Sequence, residues 1–145
     1  MMELVVVMSL LVILAAVSAP RLAEFFRGRG VDNEARRLWA LTERARSESL
    51  ALGLPTVVWA DADTGEYGLA AGPGLGAALT PTTYTLPDFL VLETTGDLAW
   101  WPDGSLSAAS DNTWRLYDTR RPDQVWLLGT DLDTGTCVLT REVTP

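Results

Sequence analysis

Leu4 to Ala19 reads LVVVMSLLVILAAVSA, sixteen residues without a charge, opened by one carboxylate at Glu3 and closed by Pro20. Such a run has few places to go. A helix built from it has no polar side to offer solvent, because only Ser9 and Ser18 interrupt the aliphatic residues. It is shorter than the ~20 apolar residues a full membrane span needs, and Met1 and Met2 bring it close. A secretory signal peptide is a competing reading, with Ala16-Val17-Ser18 as a small-x-small cleavage site. Such a peptide carries a basic segment ahead of its apolar core, and none precedes this run. Glu3 is the odd residue. A carboxylate held at mid-membrane costs on the order of 2.5–3.5 kcal/mol. At the end of the run it can reach the interface, or it can meet a cation on another subunit, and both readings stand.

The helical pattern outlasts the apolar run. Pro20 removes one backbone hydrogen bond and bends the axis. Leu22, Phe25 and Phe26 then fall on one side of a helix. Gly28-Arg29-Gly30 is a place for a break, with Asp32 or Asn33 as the cap of a new start. Ala35, Leu38, Thr42, Ala45, Ser49 and Leu52 form a narrow stripe of small and apolar residues, with Arg36, Arg37, Glu43, Arg44, Arg46 and Glu48 on the other faces. Gly53 is suited to the C-cap, and Pro55 blocks continuation. A continuous helix from Glu3 to Leu52 would measure roughly 75 Å at 1.5 Å per residue. Its first half, residues 1–20, wants lipid or copies of itself; its amphipathic half, residues 21–53, wants a sheet to lie on.

Residues 54–145 change character. Thr56–Ala60, Glu66–Ala70, Phe89–Glu93, Leu98–Trp101, Asn112–Tyr117, Gln124–Leu128 and Cys137–Arg141 read as short strands between turn residues, and Gly72–Pro81 reads as a small-residue loop. About seven strands of this kind predict an antiparallel sandwich or a pair of sheets. With the helix, the expected fold class is α+β. Charge divides at the same place. Residues 1–53 hold seven arginines and six acids, and residues 54–145 hold four arginines and thirteen acids, so the β domain stands at −9. It repels phosphate backbones, and no nucleic-acid partner is expected.

Chemistry is restricted too. All eleven basic residues are arginine, and the sequence holds neither lysine nor histidine. Ser-His-Asp and Cys-His catalysis, histidine-ligated metals, lysine Schiff bases and P-loop lysines are excluded. Cys137 is the one cysteine and cannot close an intrachain disulfide; a small buried strand position suits it. Asp63-Thr64-Gly65 and Asp133-Thr134-Gly135 share the triplet of aspartic proteases, whose two carboxylates hold one proton. Both triplets fall in polar hairpin tips, where Asp and Gly are ordinary turn formers. They are followed by Glu66 and Thr136 instead of the Ser or Ala of that family. Asp61, Asp63 and Glu66 could touch a calcium ion, but the ligand spacing of an EF-hand loop is absent. No catalytic residue, metal site or cofactor is expected, and Arg120-Arg121 reads as a solvated loop. Among six tryptophans, alternation places Trp59, Trp114 and Trp126 in strand cores. In Trp100-Trp101, neighbours on a strand point to opposite faces, so one ring is a candidate partner contact.

Glu3-Leu4-Val5-Val6-Val7, the aliphatic run, and Ala19-Pro20-Arg21-Leu22 resemble the N-terminus of type IV pilin-like proteins. Glu3 matches the family glutamate and Pro20 the family proline. Ala45-Arg46-Ser47-Glu48-Ser49-Leu50-Ala51-Leu52-Gly53-Leu54-Pro55 resembles the end of the long helix in H-type minor pseudopilins of type II (general) secretion systems. Trp101-Pro102-Asp103-Gly104-Ser105-Leu106-Ser107 resembles their Phe-x-Pro-Asp-Gly-Ser turn, and the closing hairpin with Asp133-Thr134-Gly135 fits as well. The likeness runs along nearly the whole chain. Precursors of that family carry a short basic leader ending in Gly, cut by a prepilin peptidase that leaves an N-methylated terminus. Met2 matches the residue before the family glutamate, so the leader and the first mature residues are expected upstream of Met1.

The resemblance implies a structural subunit and no enzyme. It implies a single-pass helix in the bacterial inner membrane and a β domain in the periplasm. The implied partners are other minor and major pseudopilins and the inner-membrane secretion platform, with the subunit near the filament tip. Glu3 would pair with a neighbour's N-terminal amine, and Pro20 would set the bend that seats the β domain. Two alternatives belong beside it: a minor pilin of a type IV pilus, and a membrane-anchored β-sandwich binding module using exposed tryptophan.

Overall fold

A computed structural model describes the backbone of residues 2–72, 81–107 and 113–143, with side chains over the same ranges except residues 2 and 19–27. One helix, α1 (Met2–Leu52), is followed by eight strands: β1 (Thr56–Asp61), β2 (Glu66–Ala71), β3 (Thr82–Thr85), β4 (Leu90–Glu93), β5 (Leu98–Trp100), β6 (Trp114–Asp118), β7 (Arg121–Asp131) and β8 (Thr136–Val143). The chain divides into two compact units, Met1–Asn33 and Glu34–Pro145.

The first unit is helix alone. α1 is unbroken through Gly28-Arg29-Gly30, so the expected break there is not observed, and no new start is capped at Asp32 or Asn33. Two glycines cost a helix about 1 kcal/mol each relative to alanine, and that local cost does not end α1 here. The grouping of Leu22, Phe25 and Phe26 and the side chain of Pro20 lie outside the described residues.

The second unit is α+β. Two four-stranded antiparallel sheets, β3-β2-β1-β5 and β4-β6-β7-β8, lie with the helix residues from Glu34 to Leu52. Ala35, Leu38, Leu41, Thr42, Ala45 and Ser49 are the buried helix face. Small residues at Ala35, Ala45 and Ser49 let the helix approach a strand closely: the Thr56 hydroxyl at the start of β1 donates to the Ala45 carbonyl at 2.9 Å. Leu52, expected in this stripe, is 49% exposed, because α1 ends there and Gly53, at φ 65°, turns the chain away.

Strand alternation is kept, but two tryptophans take the outward phase. Val58 and Val125 occupy the inward positions, so Trp59 and Trp126 are only half-buried, and Trp126 lies under the Arg141 guanidinium at 5.8 Å. Trp114 is in the core as expected. β3 replaces what the sequence left unassigned. Its Thr82-Thr83-Tyr84-Thr85 pairs along β2 from Leu69 to Glu66 and carries no aliphatic alternation.

Candidate assembly and contact sites

The helix of the first unit presents its apolar side chains on every face. From Leu4 to Val17 the large aliphatic side chains are 55–69% exposed. Glu3 stands at the head of the apolar stretch, in the first described turn of α1. Ser9 turns its hydroxyl back to the Val5 carbonyl at 2.7 Å, so its one polar group is satisfied within the helix. Soluble monomers rarely expose contiguous apolar patches of more than a few hundred Å², and a helix that is apolar all round wants a cover. Among the described residues, no helix is long and apolar enough to cross a membrane.

In the second unit the sequence motifs near Trp101 and Asp133 come together. Trp100 and Trp101 point to opposite faces. Trp100 is 1% exposed and donates its indole N–H to the Gly135 carbonyl at 2.9 Å, so it is internal; Trp101 is 53% exposed. Trp101 and Ser105 close a tight turn, with the Trp101 N–H donating to the Ser105 carbonyl at 2.9 Å and the Gly104 N–H donating to the Trp101 carbonyl at 2.8 Å. Asp103 caps this turn, accepting from the Ser105 hydroxyl at 2.6 Å and the Ser105 N–H at 2.9 Å. These bonds, the hydroxyl's first, hold its carboxyl below the usual range. Gly104, at φ 81°, has no side chain to separate it from Leu50 on one side and Gly135 on the other. Arg46 ties the helix to both turns, donating to the Gly104 carbonyl at 3.4 Å and the Thr134 carbonyl at 3.2 Å.

The two Asp-Thr-Gly triplets are twin hairpin tips. Asp61 Oδ1 accepts from the N–H groups of Asp63 and Thr64 at 2.9 and 3.4 Å, and Asp131 Oδ1 accepts from those of Asp133 and Thr134 at 3.1 and 3.4 Å. Hydrogen bonds within each tip lower the pKa of both capping aspartates, the Asp63 N–H first for Asp61 and the Thr134 hydroxyl first for Asp131. The tips lie at different ends of the unit. The first leads into β2, whose Tyr67 reaches Glu34, whereas the second reaches Arg46. Twelve helix residues span ~18 Å, so the triplet carboxylates do not share a proton. Among the described residues, no group of three or more Cys, Asp or Glu side chains is arranged to hold a metal ion.

Sequence reasoning passed over a buried carboxylate. Glu34 is 5% exposed; it accepts from Arg37 Nη1 at 2.9 Å and from the Tyr67 hydroxyl at 3.3 Å. Tyr67 stacks on Tyr84 at 5.5 Å, and the Arg37 guanidinium lies 5.3 Å from the Tyr84 ring. Burial, then the Glu34 charge, raises the Tyr67 pKa. The three-residue spacing of Glu34 and Arg37 was visible in sequence, but nothing local announced two tyrosines from β2 and β3. Nearby, Trp39 donates its indole N–H to the Cys137 carbonyl at 3.0 Å. Cys137 is internal, and burial pushes its thiol up to about 11.

No known protein-family profile matches the chain, and no curated protein is similar to it in sequence. Solved structures are similar in fold. The minor pseudopilin EpsH from the type 2 secretion system of Vibrio cholerae superposes with a TM-score of 0.60 at 16% identity, over 76% of this chain and 95% of that one. The type IV minor pilin FimU of Pseudomonas aeruginosa superposes with a TM-score of 0.62 at 15% identity, over 80% of this chain and 92% of that one. The chain therefore has the pilin-like α+β fold, a helix packed on two antiparallel sheets.

Proposed function

We propose that this chain is a minor subunit of a pilin-like filament, and within that class an H-type minor pseudopilin of a type II secretion system near the filament tip. The reading is carried by one contrast: the β unit closes its own core, while the helix from Leu4 to Val17 leaves every large apolar side chain exposed. A helix apolar on all faces is at home first in the inner membrane and then among the helices of other subunits. The β unit then lies in the periplasm. The pilin-like fold and the N-terminal resemblance support the same reading. The partners are other minor and major pseudopilins and the inner-membrane secretion platform, and the role is structural instead of enzymatic.

Glu3 supplies the registry. Its carboxylate sits at the end of an apolar surface, where an ion pair with a neighbour's terminal amine is worth more than in water. Pro20 limits where the helix can stay straight between that contact and the β unit. Residues 1–20 thus serve anchoring and assembly, 21–53 the join, and 54–145 the exposed domain. Glu3→Ala is expected to insert into the inner membrane as the wild type does and to fail to co-purify with the other pilin-like subunits in sheared filament fractions. Wild-type co-assembly by that variant overturns the mechanism. Membership of a type IV pilus is a second reading, favoured by the equal likeness to FimU. Deletion of the gene separates the two: loss of protein secretion with intact pili supports the first, and loss of surface pili with intact secretion supports the second.

A further inference from the structure

The Trp101–Ser105 turn and the Asp131–Thr136 hairpin tip make one platform at the end of the β unit that faces the close of α1. Its apolar centre is Trp101, 53% exposed, and Leu50, 50% exposed, joined through Gly104. The main chain beneath Trp101 is held by the bonds within its own turn, by Arg46 on the Gly104 carbonyl, and by the contact of Gly104 with Gly135, which Trp100 fixes in turn. A ring on so fixed a base loses little further freedom on binding, and tryptophan is the residue type that most often dominates contact energies. The rim is acidic. Asp103, Asp131 and Asp133 are exposed, while Arg46 directs Nε and Nη2 to main-chain carbonyls.

We propose that Trp101 and Leu50, rimmed by Asp103, Asp131 and Asp133, form a docking surface for the arginine-bearing amphipathic helix of an adjoining pilin-like subunit. The inference rests on the filament-subunit reading above. Charge selects the occupant. An acid rim repels anionic lipid and nucleic acid and attracts a helix that sets basic residues beside apolar ones. This chain's own helix is of that kind, with Arg36 and Trp39 exposed one turn apart, while Arg44 is paired with Glu48 at 2.6 Å. The platform of one subunit then meets the helix of another in a heterologous, head-to-side contact.

The test uses the full chain in its native cell, with Trp101 replaced by the photoreactive p-benzoylphenylalanine and adducts mapped by mass spectrometry. The expected adduct is on the arginine-bearing helix of a pilin-like subunit. Asp103→Asn with Asp131→Asn is expected to lower its yield by about tenfold, the effect of losing favourable rim charge. Both asparagines keep the oxygen that caps each turn, and a thermal melt confirms the fold. Adducts on a partner's β domain, on a secreted protein or on lipid, or none at all, overturn the proposal. Trp101→Ala and Glu3→Ala separate it from the reading it rests on. If Trp101→Ala co-assembles like the wild type while Glu3→Ala fails, the docking surface falls and the filament subunit stands. If both co-assemble normally, the docking surface and the Glu3 ion pair both fall; if the wild-type chain itself does not co-purify with pilin-like subunits, the filament reading falls.

Discussion

At the residue scale, Glu34 is the group with most to lose. A buried carboxylate is tolerable only while its hydrogen-bond partners remain, and Tyr67 and Arg37 are those partners. Tyr67→Phe keeps the stack on Tyr84 and removes one donor. It is expected to cost about 1–3 kcal/mol in urea unfolding, the penalty for stranding a buried acceptor. The pH dependence has a definite sign. The folded tyrosine has a raised pKa, so its contribution is fully present below the unfolded value of about 10 and is lost as pH rises through the folded one. Wild-type stability should therefore fall more steeply than that of Tyr67→Phe in melts taken above about pH 10. Parallel alkaline limbs would show that the hydroxyl contributes nothing through Glu34. The sequence offered the Glu34–Arg37 spacing and no more, because a cross-element cluster is written in residues far apart along the chain.

At the scale of elements, the twin hairpins separate local from tertiary constraint. Gly65 and Gly135 occupy the same turn position at φ 68° and 66°, after the same capping aspartate pattern. A Cβ at Gly65 would meet only Leu86, at 3.8 Å, whereas one at Gly135 would run into the Gly104 carbonyl. Gly65→Ala should cost the left-handed backbone strain alone, about 1–2 kcal/mol. Gly135→Ala should cost a further ~1–3 kcal/mol, because main chain must move to admit it. Equal losses in chemical denaturation would show that the two turns are not seated as described. Turn identity was legible from Asp-Thr-Gly; which tip is sealed against another loop was not, since both read alike. Legibility failed elsewhere for similar reasons. β3 has threonines where a strand usually declares itself by alternating aliphatics, and its place is set by pairing with β2. Trp59 and Trp126 are bulky enough to suggest a core, yet the pleat gave those inward positions to Val58 and Val125. Gly28 and Gly30 are weak helix formers, but nucleation is the costly step, so an established helix runs on through them.

At the scale of the molecule, the two units have opposite requirements. The apolar run lies in the first unit, whereas the change of pattern near Gly53 and the shift in charge fall inside the second, because the amphipathic helix belongs to the β unit's core from Glu34 onward. The buried helix face begins at Glu34 and Ala35, and the large aliphatic side chains from Leu4 to Val17 are all exposed. A fragment beginning at Gly30, one turn ahead of Glu34, therefore keeps the whole described core. It should unfold in one cooperative transition within about 5 °C of the full chain measured in the same detergent, since ~1 kcal/mol moves a domain of this size by that much. It should also remain in the aqueous phase of a detergent partition, while the full chain enters the detergent phase. An unfolded fragment would mean that residues before Gly30 complete the core. A full chain that stayed in the aqueous phase would remove the apolar helix from the membrane, and with it the route by which such a subunit reaches its neighbours.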